Sequence, residues 1–431
     1  MKAPNYSELQ QLVYTGIEHL LPLNEKNVHE IIATKEKYRR RANREITIIE
    51  RLGKEDYFLT AVKLYDFLKK ERHAFLGPGR AYSTASLVCY TLGLNDIDPM
   101  EYDLSPARFL DPEDGSMEIQ IEMDEDASND VFYSIAEHFG LENVARMPMK
   151  ISKGYTPEKT GAEYAINHEG KKIHLHVCAI IIALDGVANH VPVNVLTDDK
   201  GRQFLCLTNY TKAQDLNGAH LYNLLSSEQL TIMNRIYQKL GKTWNRWHWS
   251  KVNTENLLET NDNSFIETGF IIGKQAIKWF KEYGCEKTTD VLLTAYAYDR
   301  EPRIPRLWTD LYSRYIYPWG INFDEQLFSI LVDAAGFTWE ETAHVWHVLK
   351  TPNPIEEEKL KHQFLKRGVG NGYLESDLNT IWTGCFERKW KLNMKSHAIA
   401  LMALHSAFAK MKESYPVLFA EVEKEVKNIV L

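Results

Sequence analysis

The sequence predicts a mixed α+β half, roughly residues 1 to 235, followed by a mainly helical half. Three observations carry this. The stretch "SMEIQIEM" (116–123) alternates strictly, with Met117, Ile119, Ile121 and Met123 on one side and Glu118, Gln120 and Glu122 on the other, which is the two-residue period of a strand. "AEYAINHEGKKIHLHVCAIIIAL" reads as two strands joined by a turn at Asn167 to Gly170, the second of them fully buried. From about Glu228 onward the apolar residues recur at helical spacing and aromatic residues are frequent. Strands gathered in one half and helices in the other make an α+β chain.

Taken in order, "NEKNVHEIIATKEKYRRRANREITIIERLG" has helical periodicity, Gly53 is a natural stop, and the helical pattern runs to about Lys70. A loop at "LGPGR" follows, then "TASLVCYTLGL" as a buried helix, the strand at 116–123 and "NDVFYSIAEHFG" as a helix. Beyond the two strands around Asn167, further strands are expected near Pro192 to Leu196 and Phe204 to Asn209. The last apolar helix, "SHAIALMALHSAFAKM", stops before Pro416. There is neither an internal repeat nor a low-complexity segment.

A chain of 431 residues holds about two or three domains with ample apolar material for their cores. A net charge of −8 excludes a globally basic nucleic-acid binder, although not a local basic groove. Cys89, Cys178, Cys206, Cys285 and Cys385 include no C-x-x-C pair, so neither a disulfide framework nor a zinc module is expected, and reduced thiols fit a cytoplasmic chain. "MKAPNYSELQQ" lacks the apolar core of a signal peptide, and the run "VCAIIIAL" is too short to span a bilayer, so no membrane partner is expected.

The Glu118, Gln120, Glu122 row is either a solvated sheet face or a metal site, and the alternation itself favours the former. "KEKYRRRANRE" is either a phosphate-contacting helix or a solvated basic face. His174 with His176, and His344 with His347, share faces at metal-binding spacing but lack carboxylate or cysteine partners at suitable positions. The segment from Asp111 to Asp130 carries nine acids and no base, and without metals would repel a DNA backbone.

Several motifs in collinear order resemble the palm and part of the fingers of bacterial C-family DNA polymerases, the alpha subunit of polymerase III. "GPGR", "DIDP", "ARFLDPE" and "SMEIQIE" stand where that family reads G-P-G-R-G-S, D-I-D-P, E-R-F-L-N-P-E and S-M-P-D-x-D-x-D. Later, "LHVCAIIIA" resembles K-H-A-G-G-V-V-I-A, "FDEQL" resembles Y-Q-E-Q-V, "AAGFTWEET" resembles L-A-G-Y-S-L-G-E-A, and "NMKSHAIALMALHSAFAKM" resembles the N-K-S-H helix. The resemblance implies a polymerase-beta-like nucleotidyltransferase palm followed by a helical fingers-like domain. The expected divisions are a helical lead-in over 1–75, a palm-like domain over 76–235 and a fingers-like domain over 236–431.

The family's chemistry uses two magnesium ions held by three aspartates. Carried over position by position, those ligands fall on Gln120, Glu122 and, on a later strand, Asn223, so that Glu122 is the one remaining anionic metal ligand. A site built for a charge of about −3 then holds −1, and magnesium is expected to bind weakly or not at all. Gly79, Arg80, Arg108, Lys395 and His397 match positions near the triphosphate, and the four side chains after Gly79 could form an anion pocket. The bland alternative for Arg80 and Arg108 is ion pairing with nearby acids. The family's G-S after G-P-G-R is Ala81-Tyr82, whose ring would crowd the phosphates, and the arginine pair of L-L-R-R-A-M-G-K falls on Trp346 and His347. The helical thumb inserted before the "HLHV" strand is replaced by "KISKGYTPEKTGAEYAINHEGKK". The N-terminal phosphoesterase domain and the regions beyond the first part of the fingers are likewise not expected. The resemblance therefore implies an inactive DNA polymerase III alpha-like protein, binding DNA or a replication protein. An active DNA-directed polymerase with Glu118 or Asp124 as substitute ligands is one alternative, and a structural interaction protein without DNA is the other.

Overall fold

The structure, a computed structural model, describes residues 7–20, 28–111, 117–150, 163–244, 249, 323–351, 353–383 and 394–429. The segments 112–116, 151–162 and 250–322, with Cys285 and Cys385, lie outside the described residues, and so do the expectations that fall on them.

Helices α1 (Glu8–Leu20), α2 (Val28–Arg51) and α3 (Glu55–Lys70) open the chain. In α1 the buried residues Leu9, Val13 and Ile17 recur every fourth position, giving one apolar stripe. Gly53 ends the α2 turn in the left-handed conformation, φ +61°. The expected buried helix at "TASLVCYTLGL" is corrected: a 3₁₀ turn at Ala81–Ala85 is separated from a short α4 (Leu87–Thr91) by an extended Ser86. The break has an identifiable cause. The fully buried Glu45 accepts from Ser86 Oγ and from the N–H groups of Leu87 and Val88, so the new helix start is capped from outside and Ser86 cannot continue the preceding turn.

The strands are β1 (Ile119–Asp124), β2 (Val144–Pro148), β3 (Tyr164–Ile166), β4 (Lys172–Ile182), β5 (Val193–Thr197), β6 (Gln203–Leu207) and β7 (His220–Ser227), with α5 (Glu125–Ser128) and α6 (Val131–Phe139) between β1 and β2. Their order is β1-β7-β4-β2-β6-β5-β3, and β3 also pairs with β4. Strands β4, β2, β6, β5 and β3 therefore close into a small barrel, while β7 and β1 extend from β4 as an open sheet. β4 belongs to both. It pairs with β7 over Ala179–Ile182 and with β3 over Lys172–His174. The bend between those stretches is a bulge: from Arg146 to Pro148 the partner β2 advances two residues while β4 covers five, Ile180 to Leu175. This corrects the expectation that the strand is buried throughout, because Val177, in the bulge, is 58% exposed.

Met117, Ile119, Ile121 and Met123 face the main core with α1 to α4 and α6, as the alternation predicts. A smaller apolar cluster, including Ala145, Ala179, Ile181 and Leu207, packs on the opposite face. Beyond the strands come α7 (Glu228–Lys239), α8 (Asp324–Ala335), α9 (Trp339–Lys350), α10 (Pro354–Gly370), α11 (Glu375–Ile381), α12 (Lys395–Ser414) and α13 (Pro416–Ile429). Helices α8 to α11 share one core, and α7, α12 and α13 share another. Among the described residues, no helix is long and apolar enough to cross a membrane.

Candidate functional site

β1 and β7 run parallel, and Gln120 stands directly opposite Asn223. Side chains two apart on a strand share a face, so Glu118, Gln120, Glu122 and Asn223 are brought together as the sequence carry-over requires. Within this group the polar atoms satisfy one another. Asn223 Nδ2 donates to Glu118 Oε1, and Gln120 Nε2 donates to Glu118 Oε2 at 3.4 Å. The other end of the Asn223 amide is taken as well, since Cys178 Sγ–H donates to Asn223 Oδ1 at 3.4 Å. Burial, reinforced by the Glu118 carboxylate, pushes that thiol up to about 11, so it stays protonated and serves as a donor. Glu122 is only 8% exposed and holds Arg80 at 3.0 Å.

Arg80 is delivered by the Gly77-Pro78-Gly79-Arg80 turn. Gly77 N–H donates to Glu122 O at 2.8 Å and Asp124 N–H to Phe75 O at 3.1 Å, so this segment covers the outer edge of β1. Gly79 has φ +147°, and a Cβ there would lie 2.9 Å from Thr84 Oγ1 and 3.1 Å from Asn95 Cβ. Its missing side chain is used for packing against the chain itself. Ala81 keeps a left-handed φ of +53°, and its N–H donates to His397 Nδ1 at 3.3 Å.

The four groups expected to be cationic are each engaged within the chain or uncharged. His397 carries no charge at neutral pH, because burial and then the nearby Arg80 push it down to about 4. Lys395 Nζ donates to Tyr102 O at 2.7 Å. Arg108 lies between two rings, 4.9 Å from the centre of Tyr82 and 5.1 Å from that of Trp346. The Tyr82 hydroxyl reaches Asp324 Oδ2 at 3.4 Å. Asp324 is fully enclosed, and burial followed by the adjacent Glu325 raises its carboxyl well above the usual range. Glu325 caps α12, accepting from the N–H groups of Lys395 and Ser396 at 2.8 and 2.9 Å. The "FDEQL" motif contains this Asp324–Glu325 pair, but the sequence analysis gives neither acid a role; two acids opening an apolar helix are the available signal.

The other candidates are also engaged. Lys35 and Arg39 both hold Glu18, Arg40 lies 3.9 Å from Glu36, Arg41 holds Glu45, and Arg44 stacks on Trp339 at 4.1 Å. Asp126 pairs with Arg235 and Asp130 with Arg202, so acids in the 111–130 segment have counter-ions elsewhere in the chain. Asp124 is buried and caps α5 while accepting from Phe75 N–H at 2.7 Å. His176 Nδ1 turns inward to accept from Ala179 N–H at 3.2 Å, whereas His174 packs against the Tyr164 ring. His347 stands on the same helix as Trp346, and His344 lies 3.9 Å from Glu356. Among the described residues no group of three or more His, Cys, Asp and Glu is placed to hold a metal ion.

Comparison with known proteins agrees with the motif order. The profile of the family described as bacterial DNA polymerase III alpha NTPase domain matches residues 7–154. The chain is 22% identical to the DNA polymerase III subunit alpha of Campylobacter jejuni over 97% of this chain and 41% of that protein. It is 21% identical to that of Streptococcus pyogenes over 94% of this chain and 45% of that protein. A shorter stretch of 117 residues, 26% of this chain and 10% of the relative, is 38% identical to the subunit of Halalkalibacterium halodurans. The chain thus spans about two fifths of the length of the first two, and the resemblance read from the motifs is borne out.

Proposed function

We propose, from this kinship with the bacterial DNA polymerase III alpha subunits, that the chain is a polymerase-like protein that no longer synthesises DNA and acts as a replication-associated module. In this reading residues 76–235 are a palm, preceded by a helical lead-in over 1–75 and followed over 236–431 by helices corresponding to part of the fingers.

The observation that carries the reading is the internal neutralisation of the polar row. Glu122, the one acid at a carried-over aspartate position, faces Arg80 at 3.0 Å, and the neighbouring Glu118 is shared by the amides of Asn223 and Gln120. A divalent ion wants several anionic oxygens that are free to turn toward it. Here the carboxylate already has a cation and the Asn223 oxygen faces a thiol, so the residues present do not fit the family's magnesium pair. The substitute ligands Glu118 and Asp124 are no better placed, the first being bound to amides and the second to backbone N–H groups. Tyr82 and Trp346 around Arg108 add a steric obstacle to a triphosphate.

For the partner, the engagement of Arg80, Lys395 and the bases of α2 favours a replication protein over direct DNA contact. Primer extension by the purified chain with magnesium or manganese tests the central claim. No incorporation above background is expected, and extension that disappears in Glu122→Ala would overturn it. A titration of labelled primer-template at low salt decides the partner class: salt-sensitive binding lost on Arg80→Ala and Lys395→Ala would restore DNA as the partner.

A further inference from the structure

Where β4 leaves β7 to close the barrel, a cavity of about 770 Å³ opens between the two strands, the start of α6 and the β5–β6 hairpin. Protein interiors are close-packed, and a gap of this size lies in the range of small-molecule sites. Phe132, Leu175, Ile180, Phe204 and Leu224 supply the apolar part of the wall, and Arg146 shares the polar part with Lys200, Arg202 and the acids Asp130, Asp198 and Asp199. The side chain of Arg146 is 13% exposed, yet the carboxylate it holds, Glu163 at 2.7 Å, is 72% exposed. It also donates weakly, 3.5 Å from Nη2 to the carbonyl of His176 in the bulge, and lies 5.7 Å from the centre of the Phe132 ring.

Arg202, on the rim of the same cavity, is different. It is fixed by Asp198 at 2.8 Å and Asp130 at 2.9 Å and lies over the Tyr133 ring at 3.5 Å. One arginine is thus built into the wall, while the other is largely enclosed and opposed by a carboxylate that water already surrounds. Exchanging Glu163 for the anionic group of a ligand strands no buried charge, and the ligand would bring an apolar body against the exposed lining side chains Val177 and Tyr164.

We propose that this cavity is a binding site for a small organic anion with an aromatic or branched apolar body, its charged group replacing Glu163 on Arg146. The cavity meets the polar row at Cys178, which lines it and donates to Asn223 Oδ1, but the assignment does not depend on the polymerase reading. Glu163 is then a competitor for the site, and removing its charge should tighten binding, an effect that a purely structural Arg146–Glu163 pair would not produce.

Calorimetric titration of the full chain with 2-naphthoate, and with the neutral 2-naphthalenemethanol as control, tests this. The expected result is one naphthoate per chain, binding about tenfold tighter to Glu163→Gln and about tenfold weaker to Arg146→Gln, the size of one charge-assisted hydrogen bond. The alcohol should bind the unaltered chain about tenfold more weakly than naphthoate on the same grounds. Glu163 is exposed and its replacement leaves folding intact, so that arm stands even where Arg146→Gln unfolds. Absence of naphthoate binding at millimolar concentration, or equal affinity in the unaltered chain and Glu163→Gln, overturns the assignment.

Discussion

Arg80 and Arg146 each hold one glutamate, and the two pairs lie at the parts of the molecule that β4 joins. Arg80 meets a carboxylate that is 8% exposed, at the edge of the open sheet, whereas Arg146 meets one that is 72% exposed, at the barrel. The contact distances, 3.0 and 2.7 Å, do not distinguish them. What differs is the cost of exchange. Taking Arg80 from Glu122 leaves a buried anion, while taking Arg146 from Glu163 leaves an anion already in water. The first pair closes its site and the second keeps its site available.

The largest expected difference between the two regions is in acid. His397, beside Arg80, and the half-buried His405 of the same helix are pushed down to about 4, His397 by desolvation and Arg80, His405 by desolvation. Because the unfolded value is about 6.5, the unfolded chain binds these protons more readily, so stability falls as pH drops from about 6.5 towards 4 and is unaffected above that window. At the barrel, Asp198 is held down to about 2: burial works against this, but the Tyr133 hydroxyl and Arg202 outweigh it. Its contribution is present above the unfolded value of about 3.9 and is lost only as pH falls through about 2. Hydrogen exchange at pH 4.5 should therefore release amides of α12 before those of β5 and β6. Simultaneous release would break the contrast.

Next in size is the effect of removing each arginine. Arg80→Ala is expected to cost about 3 kcal/mol in urea unfolding because it leaves Glu122 buried without its cation. Arg146→Ala should cost about 1 kcal/mol, mostly lost packing and one pair to an exposed acid. Replacing both members of the enclosed pair, Arg80→Met with Glu122→Leu, should recover most of the larger loss. Equal costs for the two alanine variants would contradict the assignment of one closed and one exchangeable pair.

The smallest effect concerns the amide that fills the open-sheet site. Asn223→Asp sets a second carboxylate against Glu118 and should destabilise by about 1 to 2 kcal/mol without metal, through like-charge repulsion and a lost hydrogen bond. If residues 120, 122 and 223 can together hold a metal ion, millimolar magnesium should recover part of that loss, more so when Gln120→Asp is added. A melting temperature that magnesium leaves unchanged in the double variant would show that Arg80, and not the missing charge alone, closes the site.

Much of this was legible in the sequence where the signal is local. The period of two placed Met117 to Met123 on the core and set the row that faces Asn223. Gly53, Ser86 and Pro416 mark real boundaries, although Ser86 was read inside a helix because its partner Glu45 lies 41 residues away. The strand β2 was missed because five residues, Val144–Pro148, with an arginine in the middle give little alternation. Barrel closure was not legible, since it depends on a bulge at His176 to Ala179 whose register only the pairing with β2 defines. The neutrality of His397 and the engagement of the basic α2 face likewise follow from tertiary neighbours.

Ala81 holds a conformation that its residue type does not favour. The resemblance sets it where the family has glycine, and the backbone still takes the left-handed turn that glycine enters freely, at φ +53°. An alanine pays on the order of 1 kcal/mol for that conformation. The outline of the turn is imposed from outside, by the anchoring of Gly77 on β1 and by His397 receiving the Ala81 amide. The shape of this turn is therefore set by its anchors and not by the residue that occupies it.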